Sequence, residues 1–513
     1  MTDPTSAPSP QPGSRTIGVA GCGLMGRGIA QIAAQAGDRV VLFDARPGAA
    51  DEARVALGQT WQRLVTRGKL DAATADAALG RVRAAAQLAD LADCEVVVEA
   101  IVEDLDIKQR LFAELEDVVA ADAILATNTS SLSVTAIAAG LQHAGRVAGF
   151  HFFSPVPLMK IVEVVDGLLT EPAVSEALLA LGERWGHAAV RAKDTPGFIV
   201  NHAGRGYGTE GLRVLAEAVA PHPVIDRVLR DCAGFRMGPC ELLDLTGLDV
   251  SGPVMDSIYH QYYEEPRFRP QPVVRTMQAA GLLGRKSGRG FYTYTDGVQA
   301  RPPEHLLPAV RAESVWVSDA QPAAAARVRE LVAGLGARVS HGARPADDDL
   351  IIVTPLGEDA STCAAREGLD ARRTVAVDTL FAMDARRVVM TTPVTTAEWR
   401  DRALGLLGAD GVPVDPIRDS AGLIAQRVVA HIVNIACEIA QYGIAAPADI
   451  DRAVTLGLGY PRGPLAWGDA LGPRQVLAVL ENLLATTGDP RYRPSPWLRR
   501  RAQLDVSLLH GEI

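Results

Sequence analysis

The sequence predicts an α/β fold joined to an all-α one, followed by a degenerate duplicate of both. Three observations carry this prediction. Short apolar runs alternate with helical stretches through residue 192, the order of a parallel sheet with crossover helices. Helical periodicity replaces that alternation from residue 193. Short motifs of the first half then recur at a nearly constant offset in the second.

Composition narrows the possibilities. The 513 residues suffice for three or four domains. A hydrophobic share of 48% and a charged share of 22% describe ordinary globular material. The net charge of −10 argues against nucleic acid and anionic membrane as partners. No apolar run is long enough to cross a membrane. The six cysteines show neither C-x-x-C spacing nor a histidine cluster, so they read as small core or loop residues in a reducing compartment. The cytoplasm is the expected location, and no metal site is expected. Residues 1–14 are rich in Pro and Ser, with no apolar segment, and read as a disordered tail, not a signal peptide.

Residues 15–192 read as a nucleotide-binding platform. The first strand is Thr16 to Ala20, and Gly21-Cys22-Gly23-Leu24-Met25-Gly26 follows at once. A helical stretch from Arg27 to Ala36 and a strand from Val40 to Phe43 come next, ending in Asp44. This is G-x-G-x-x-G between strand and helix, with an acid 23 residues after the first Gly. Gly21 allows the tight turn, Gly23 lets the backbone approach a pyrophosphate, and Gly26 lets helix and strand pack. Leu24 and Met25 open a helix whose N-terminus faces the phosphates. Asp44 suits ribose hydroxyls and repels a 2′-phosphate, which favours NAD over NADP, although Arg46 lies close by. The predicted domain is therefore Rossmann-like.

The stretch from Ala49 to Leu88 exceeds an ordinary crossover and reads as an inserted helical hairpin carrying Arg63, Arg67 and Lys69. Those cations suit a phosphorylated ligand or a plain solvated face. Val96 to Glu99 is a strand, Asp104 to Val119 an amphipathic helix, and Ile124 to Thr127 the next strand. That strand runs into Asn128-Thr129-Ser130-Ser131, a polar cluster at the edge where open parallel sheets bind ligands. Ser130 and Ser131 serve equally well as caps of a helix starting near Val134.

Two further strand-like runs, Val147 to Phe150 and Ile161 to Val165, flank a turn marked by Ser154, Pro155 and Pro157. Side by side, they bring His151 to Glu163. A His that donates one ring nitrogen to a carboxylate has a fixed tautomer. Such a pair can take the proton from a hydroxyl during a dehydrogenation. The same residues also read as a His at a strand end and a Glu on a solvent face.

Residues 193–295 form the predicted helical domain. Asp194 or Thr195 is placed to cap a helix with Pro196 in its first turn, and Asn201 lies on that helix. Another helix begins at Gly238-Pro239. Residues 284–292, GRKSGRGFY, form a glycine-rich basic loop suited to holding phosphate or to ending a domain.

The blocks GCGLMGRG, FDA, EAIVED, NTSSL, HFFSPVPLMKIVEVV, DTPGFIVN, GPCELLDLTGLD and GRKSGRGFY, in this order and spacing, resemble the NAD-dependent 3-hydroxyacyl-CoA dehydrogenases over about residues 15–295. The resemblance implies oxidation of an (S)-3-hydroxyacyl-CoA to the 3-oxo thioester with NAD as cofactor. It makes His151 the catalytic base, Glu163 its partner acid, Ser130 the group on the reacting oxygen and Asn201 a holder of the acyl group. Asp44 becomes the ribose acid. Glu103 and Lys108 fall beside the nicotinamide, and Lys69 lies in the hairpin that reaches toward coenzyme A. Ser154 stands where the family usually has Asn, which puts a direct bond from this position to substrate or cofactor in doubt. In single-copy relatives the helical domain mediates dimerisation, so a homodimer is one expectation.

The second half repeats the first. DTPGFIVN at 194 recurs as DSAGLIAQ at 419, an offset of 225, and RFRP at 267 recurs as RYRP at 491, an offset of 224. The expected vestigial α/β domain is 300–415 and the second helical domain 416–510. Ser318-Asp319-Ala320-Gln321 replaces the glycine loop, no His stands near Met390, and Gln426 replaces Asn201. The second copy is expected to pack on the first in cis. The tandem layout resembles the bacterial 3-hydroxyadipyl-CoA dehydrogenases of phenylacetate degradation. His202, Arg205 and Arg236 are candidate cations for a distal carboxylate. The alternatives are a short-chain 3-hydroxybutyryl-CoA dehydrogenase, a dehydrogenase of free hydroxy acids, and a non-catalytic NAD- or coenzyme-A-binding protein.

Overall fold

The computed structural model describes residues 14–512. Most of the expected 1–14 tail therefore lies outside the described residues. The chain divides into two compact units, residues up to His202 with Tyr442–Leu458, and Ala203–Gln441 with Gly459 onward.

The first unit is built on eight strands: β1 (Thr16–Ala20), β2 (Arg39–Phe43), β3 (Val82–Ala84), β4 (Val96–Glu99), β5 (Ile124–Thr127), β6 (Val147–Phe152), β7 (Ile161–Asp166) and β8 (Ala188–Lys193). Their order is β3-β2-β1-β4-β5-β6-β7-β8. The first six are parallel, and β7 with β8 runs the other way. The central strands are continuous Val, Ile, Leu and Ala runs because both faces are covered by helices. These are α1 (Leu24–Gln35), α2 (Ala49–Thr66), α3 (Ala72–Gly80), α4 (Leu105–Val118), α5 (Val134–Ala138) and α6 (Pro172–Arg184). α2 and α3 form the expected hairpin. Its buried Leu57 and Trp61 join the core that holds Val19, Val98 and Phe150.

Five helices fill the stretch that follows, α7 (Val200–Ala216), α8 (His222–Asp231), α9 (Pro239–Thr246), α10 (Leu248–Gln261) and α11 (Pro272–Ala279), while α12 (Pro322–Gly334) and α13 (Ala360–Glu367) are crossover helices of a second sheet. A short hairpin, β9 (Tyr294–Thr295) and β10 (Val298–Gln299), ends the first helical stretch. The second sheet comprises β11 (Ser314–Val317), β12 (Arg338–Ser340), β13 (Leu350–Val353), β14 (Thr374–Val377), β15 (Arg387–Thr391) and β16 (Val414–Ile417). Its order, β12-β11-β13-β14-β15-β16, has the same turnabout, with β14 and β15 antiparallel. It is the first sheet with two strands fewer, a degenerate duplicate. α14 (Ala397–Leu407) covers it, and α15 (Ala425–Gln441), α16 (Pro447–Leu458), α17 (Pro464–Leu471), α18 (Pro473–Thr487) and α19 (Pro496–Leu504) follow.

The compact units cut across the boundaries expected from sequence order. α16, from the second helical stretch, packs on β7 and β8 of the first sheet. The Lys193 N–H donates to the Ile444 carbonyl at 2.9 Å just ahead of it. The second unit repeats this joint: the Arg418 N–H donates to the Val219 carbonyl at 2.9 Å ahead of α8. Composition gives no hint of such an exchange, because it matches face to face and not residue to neighbour.

Candidate active site

The crevice lies at the C-terminal ends of β1, β4, β5 and β6. Gly21 has φ +106, and a Cβ there would lie 2.5 Å from the Ala100 carbonyl oxygen. A Cβ on Gly26 would lie 1.8 Å from the Gly21 oxygen. At Gly23 a Cβ would meet nothing within 4 Å. Gly21 and Gly26 are thus demanded by the protein's own packing, while Gly23 leaves an open cradle for a close ligand. Leu24, largely exposed, and half-buried Met25 open α1, so its unpaired N–H groups face that cradle. Asp44 accepts the Cys22 N–H at 2.7 Å and the Arg46 N–H at 2.9 Å, which fixes its carboxylate beside the loop. The Arg46 guanidinium turns to Glu52, at 2.5 Å.

On the next strands, His151 and Glu163 are directly opposed in the β6–β7 register. His151 Nδ1 lies 2.6 Å from Glu163 Oε2, with both side chains buried. The other oxygen of Glu163 accepts the N–H groups of Ile199 at 3.0 Å and Val200 at 2.9 Å. Glu163 therefore caps α7. The capping role expected of Asp194 is corrected: Asp194 instead caps α5, taking the Ser133 hydroxyl at 2.6 Å and the N–H groups of Val134 and Thr135. The chain runs through a tight turn at Thr195–Phe198 before α7 begins, so Asp194 is too early to cap it. The rings of Phe153 and Phe198 flank the imidazole, at 4.4 and 5.7 Å. With Nδ1–H donated to Glu163, the free Nε2 is the basic nitrogen.

Ser130 and Ser131 do not cap α5; Ser133 does, accepting the Ala136 N–H. The Ser130 and Ser131 N–H groups instead donate to Glu103 at 2.9 and 3.1 Å, joined by the Thr129 hydroxyl at 2.7 Å. Burial by itself pushes the Glu103 carboxyl up. The Thr129 bond, the Lys108 charge and the serine bonds outweigh it and hold the carboxyl below its ordinary value. Lys108 is buried, with Nζ 2.6 Å from Glu99 and 3.3 Å from Glu103, so it meets the crevice through Glu103. Sequence reasoning missed Glu99, which also accepts the Thr127 hydroxyl at 2.7 Å. Its signal was a Glu at the end of an otherwise apolar strand. Asn128 accepts the Phe152 N–H at 2.8 Å and ties β5 to β6.

Asn201 lies in the first turn of α7, half-buried. Ser154 is exposed and precedes a cis peptide bond to Pro155. Lys69 is exposed in the α2–α3 turn. A groove of about 600 Å³ runs between α1, α2 and the 155–160 turn, lined by Leu24, Arg27, Arg63, Leu158 and Lys160. Arg27 and Lys160, cations of that groove, were missed because each stands alone in the sequence. In the loop at 284–292, Phe291 and Tyr292 donate their N–H groups to Asp244 at 2.9 and 2.8 Å. The loop thereby closes around that buried carboxylate, the structural side of the two readings, with Arg285, Lys286 and Arg289 exposed. Of the candidate distal cations, His202 is buried, Arg205 half-buried and Arg236 exposed.

Comparison with known proteins decides the family. Residues 16–195 match the NAD binding domain of 3-hydroxyacyl-CoA dehydrogenase, and residues 197–294 and again 422–507 match its C-terminal domain. The chain belongs to the 3-hydroxyacyl-CoA dehydrogenase family. It is 40% identical to the 3-hydroxyadipyl-CoA dehydrogenase of Escherichia coli (strain K12), over 96% of this chain and 98% of that protein. A crystal structure of 3-hydroxybutyryl-CoA dehydrogenase from Escherichia coli K12 superposes with a TM-score of 0.86 at 38% identity, covering 96% of this chain and 98% of that one. A probable 3-hydroxybutyryl-CoA dehydrogenase of Deinococcus radiodurans is 39% identical over 54% of this chain and 99% of its own length.

This 3-hydroxyacyl-CoA dehydrogenase is an NAD-dependent enzyme whose C-terminal domain occurs twice. The glycine cradle and Asp44 fit NAD. The duplicate sheet has no such cradle. There Gln426 donates to the Pro355 carbonyl and Asp378, each at 3.0 Å, and accepts the Gly357 N–H at 2.9 Å. Burial pushes the Asp378 carboxyl up to about 6. A Cβ on Gly357 would lie 2.4 Å from the Val479 carbonyl, so α18 is seated on that loop. The second crevice is filled by the chain itself.

No helix among the described residues is long and apolar enough to cross a membrane. The six cysteines, all among the described residues, form no disulfide.

Proposed function

We propose that the enzyme oxidises an (S)-3-hydroxyacyl-CoA to the 3-oxoacyl-CoA at the crevice of the first sheet, with His151 as general base and Glu163 as its partner. The carrying observation is the 2.6 Å contact between His151 Nδ1 and Glu163 Oε2, beside a glycine cradle on the same sheet. NAD, when bound, supplies the hydride acceptor, held by Gly21, Gly23, Leu24, Met25, Gly26 and Asp44, with Glu103, Lys108 and Ser130 on its nicotinamide side. The substrate's 3-hydroxyl sits between Ser130 and His151. Its proton goes to Nε2, and Glu163 stabilises the imidazolium that forms. In the reverse direction His151 returns the proton. Phe153 and Phe198 keep water from the imidazole.

Asn201 holds the acyl carbonyl. Lys69 and the groove bearing Arg27, Arg63 and Lys160 suit the phosphates of coenzyme A. Ser154, one atom shorter than the usual Asn, shapes the substrate side of the turn. The substrate we favour is 3-hydroxyadipyl-CoA, in phenylacetate catabolism, since the E. coli relative of that name spans nearly the whole chain. The short-chain reading draws on the E. coli structure bearing the butyryl name. We further propose that the protein works in the cytoplasm, without nucleic acid or membrane partners. A homodimer remains the alternative to a monomer that satisfies its helical faces in cis.

The test is NADH formation from (S)-3-hydroxyadipyl-CoA and (S)-3-hydroxybutyryl-CoA, compared by kcat/KM. Preference for the dicarboxyl thioester supports the favoured substrate. Equal or reversed preference makes this a short-chain enzyme. No NADH from either contradicts the proposed reaction and brings back a binding role.

A further inference from the structure

α16 comes from the half of the chain that has lost its own crevice, yet it lies against β7 and β8, and β7 carries Glu163. Its inward face is Ile450, Ala453, Val454 and Gly457, at the i, i+3, i+4, i+7 spacing of one helical stripe. A glycine inside a helix costs stability relative to alanine, so its presence calls for a packing reason. The reason is Val200. A Cβ on Gly457 would lie 2.9 Å from Val200 Cγ1 and 3.0 Å from Cγ2. Val200 is 1% exposed, and its branched side chain is stiff at χ1, so it has no room to swing aside.

Val200 is not a passive neighbour. Its N–H donates to Glu163 Oε1 at 2.9 Å, and Oε2 of the same carboxylate meets His151 Nδ1 at 2.6 Å. One side chain and one peptide N–H therefore separate Gly457 from the carboxylate of the acid–base pair. We propose that Gly457, supplied by the duplicate, is a positioning residue for the first copy's His151–Glu163 pair, seating the start of α7 on Glu163. This gives the second half a role in the reaction that its filled crevice does not. The inference rests on the proposed dehydrogenase reading for its kinetic consequence alone. At the 225-residue offset the sizes are reversed: Ala425 stands for Val200 and Cys232 for Gly457. The copy without an acid–base pair thus has no Val–Gly match, so that match is not a general demand of the fold.

The experiment uses the full-length enzyme and the variants Gly457→Val, Val200→Ala and the two combined. Turnover is read by NADH formation, and the geometry of the pair by the downfield Nδ1–H proton resonance of His151, assigned by its loss in His151→Ala. For Gly457→Val we expect kcat to fall by about tenfold to a hundredfold, the scale of a 1 Å misplacement. The KM for the thioester and the Kd for NAD should hold, and the resonance should shift or vanish. The combined variant, which restores one small and one large partner, should recover both readouts. Wild-type kcat and an unchanged resonance in Gly457→Val would overturn the proposal. So would a loss that the combined variant fails to recover. A wild-type protein that forms no NADH would contradict the dehydrogenase reading, and the resonance would then decide the positioning role by itself.

Discussion

At the scale of the residue, the three glycines of the loop share a motif and not a role. A Cβ at Gly26 collides with the Gly21 carbonyl, whereas one at Gly23 enters open space. Gly26→Ala should therefore lower Tm, by several degrees at a cost of about 1–3 kcal/mol for overpacking. Gly23→Ala should leave Tm of the NAD-free protein in place and weaken NAD binding about tenfold or more, since each 1.4 kcal/mol lost is a factor of ten. Differential scanning calorimetry and NAD titration together check the pair; equal effects on both readouts would contradict the assignment. The glycine loop, Asp44, His151 and Glu163 were legible in the sequence because each sits at a strand end, where spacing fixes position. Glu99 was not, since its role is to hold other polar groups, and Asn128 was read within a ligand-edge cluster and not as the tie between β5 and β6. Nothing in the sequence marks which buried acceptor will meet Lys108 or the Phe152 N–H.

At the scale of the element, α7 joins fold and chemistry. Its first N–H groups are satisfied by Glu163, the same carboxylate that orients His151. Glu163→Gln keeps an acceptor for α7 but presents an amide to a ring nitrogen that needs a carboxylate. Turnover should drop by about 10²–10⁴ with little loss of Tm. Glu163→Ala should lose both, the cap costing about 0.5–2 kcal/mol. Thermal melts beside NADH assays check this; an equal Tm for the two variants would show that Glu163 does not cap α7. The duplicate serves as an internal control. Phe198 at φ 48 and Leu423 at φ 49 hold the same left-handed turn, and Asp194 and Asp419 cap the same kind of helix. Because the copy without a base keeps both features, they belong to the fold. The sequence placed six of the eight strands of the first sheet, because buried strands read as unbroken apolar runs; β3 and β8, the edge strands, carry Arg83, Arg191 and Lys193 and did not read so. It misplaced the caps, because Asp194 reaches back sixty residues while its local pattern imitates a helix start.

At the scale of the whole molecule, the second unit is held by a buried charge cluster. Glu210 accepts from Arg427 at 2.6 Å, Arg491 at 2.9 Å and the Tyr492 hydroxyl at 2.6 Å. Nearby, Arg267 donates to the Arg493 carbonyl and Arg491 to the Arg269 carbonyl, each at 2.8 Å, a reciprocal pair from the two repeats. Deleting residues 300–513 would strip Glu210 of all three partners, at about 3–5 kcal/mol for an orphaned buried charge, and would uncover β7 and β8. The truncated chain should aggregate or be inactive; a soluble, fully active one on size-exclusion chromatography would contradict this. His431, buried in the same region, is pushed down to about 3 by burial. The unfolded chain then binds a proton that the folded one refuses between pH 6.5 and 3, so stability falls as pH drops through that window. His431→Phe should flatten the loss of Tm between pH 7 and pH 5; an unchanged slope would assign the loss to other groups. The repeat offset announced the duplication, but the exchange of α8 and α16 between sheets was invisible, since both helices are ordinary amphipathic stretches.

The central claim is that His151, oriented by Glu163, is the base of an NAD-dependent 3-hydroxyacyl-CoA dehydrogenase. The most direct measurement is the turnover number of His151→Ala against wild type, at saturating NAD and (S)-3-hydroxyacyl-CoA, with NAD binding measured alongside. Turnover should fall by about 10²–10⁴ with NAD affinity intact. A near-wild-type rate would remove His151 from that role and contradict the claim.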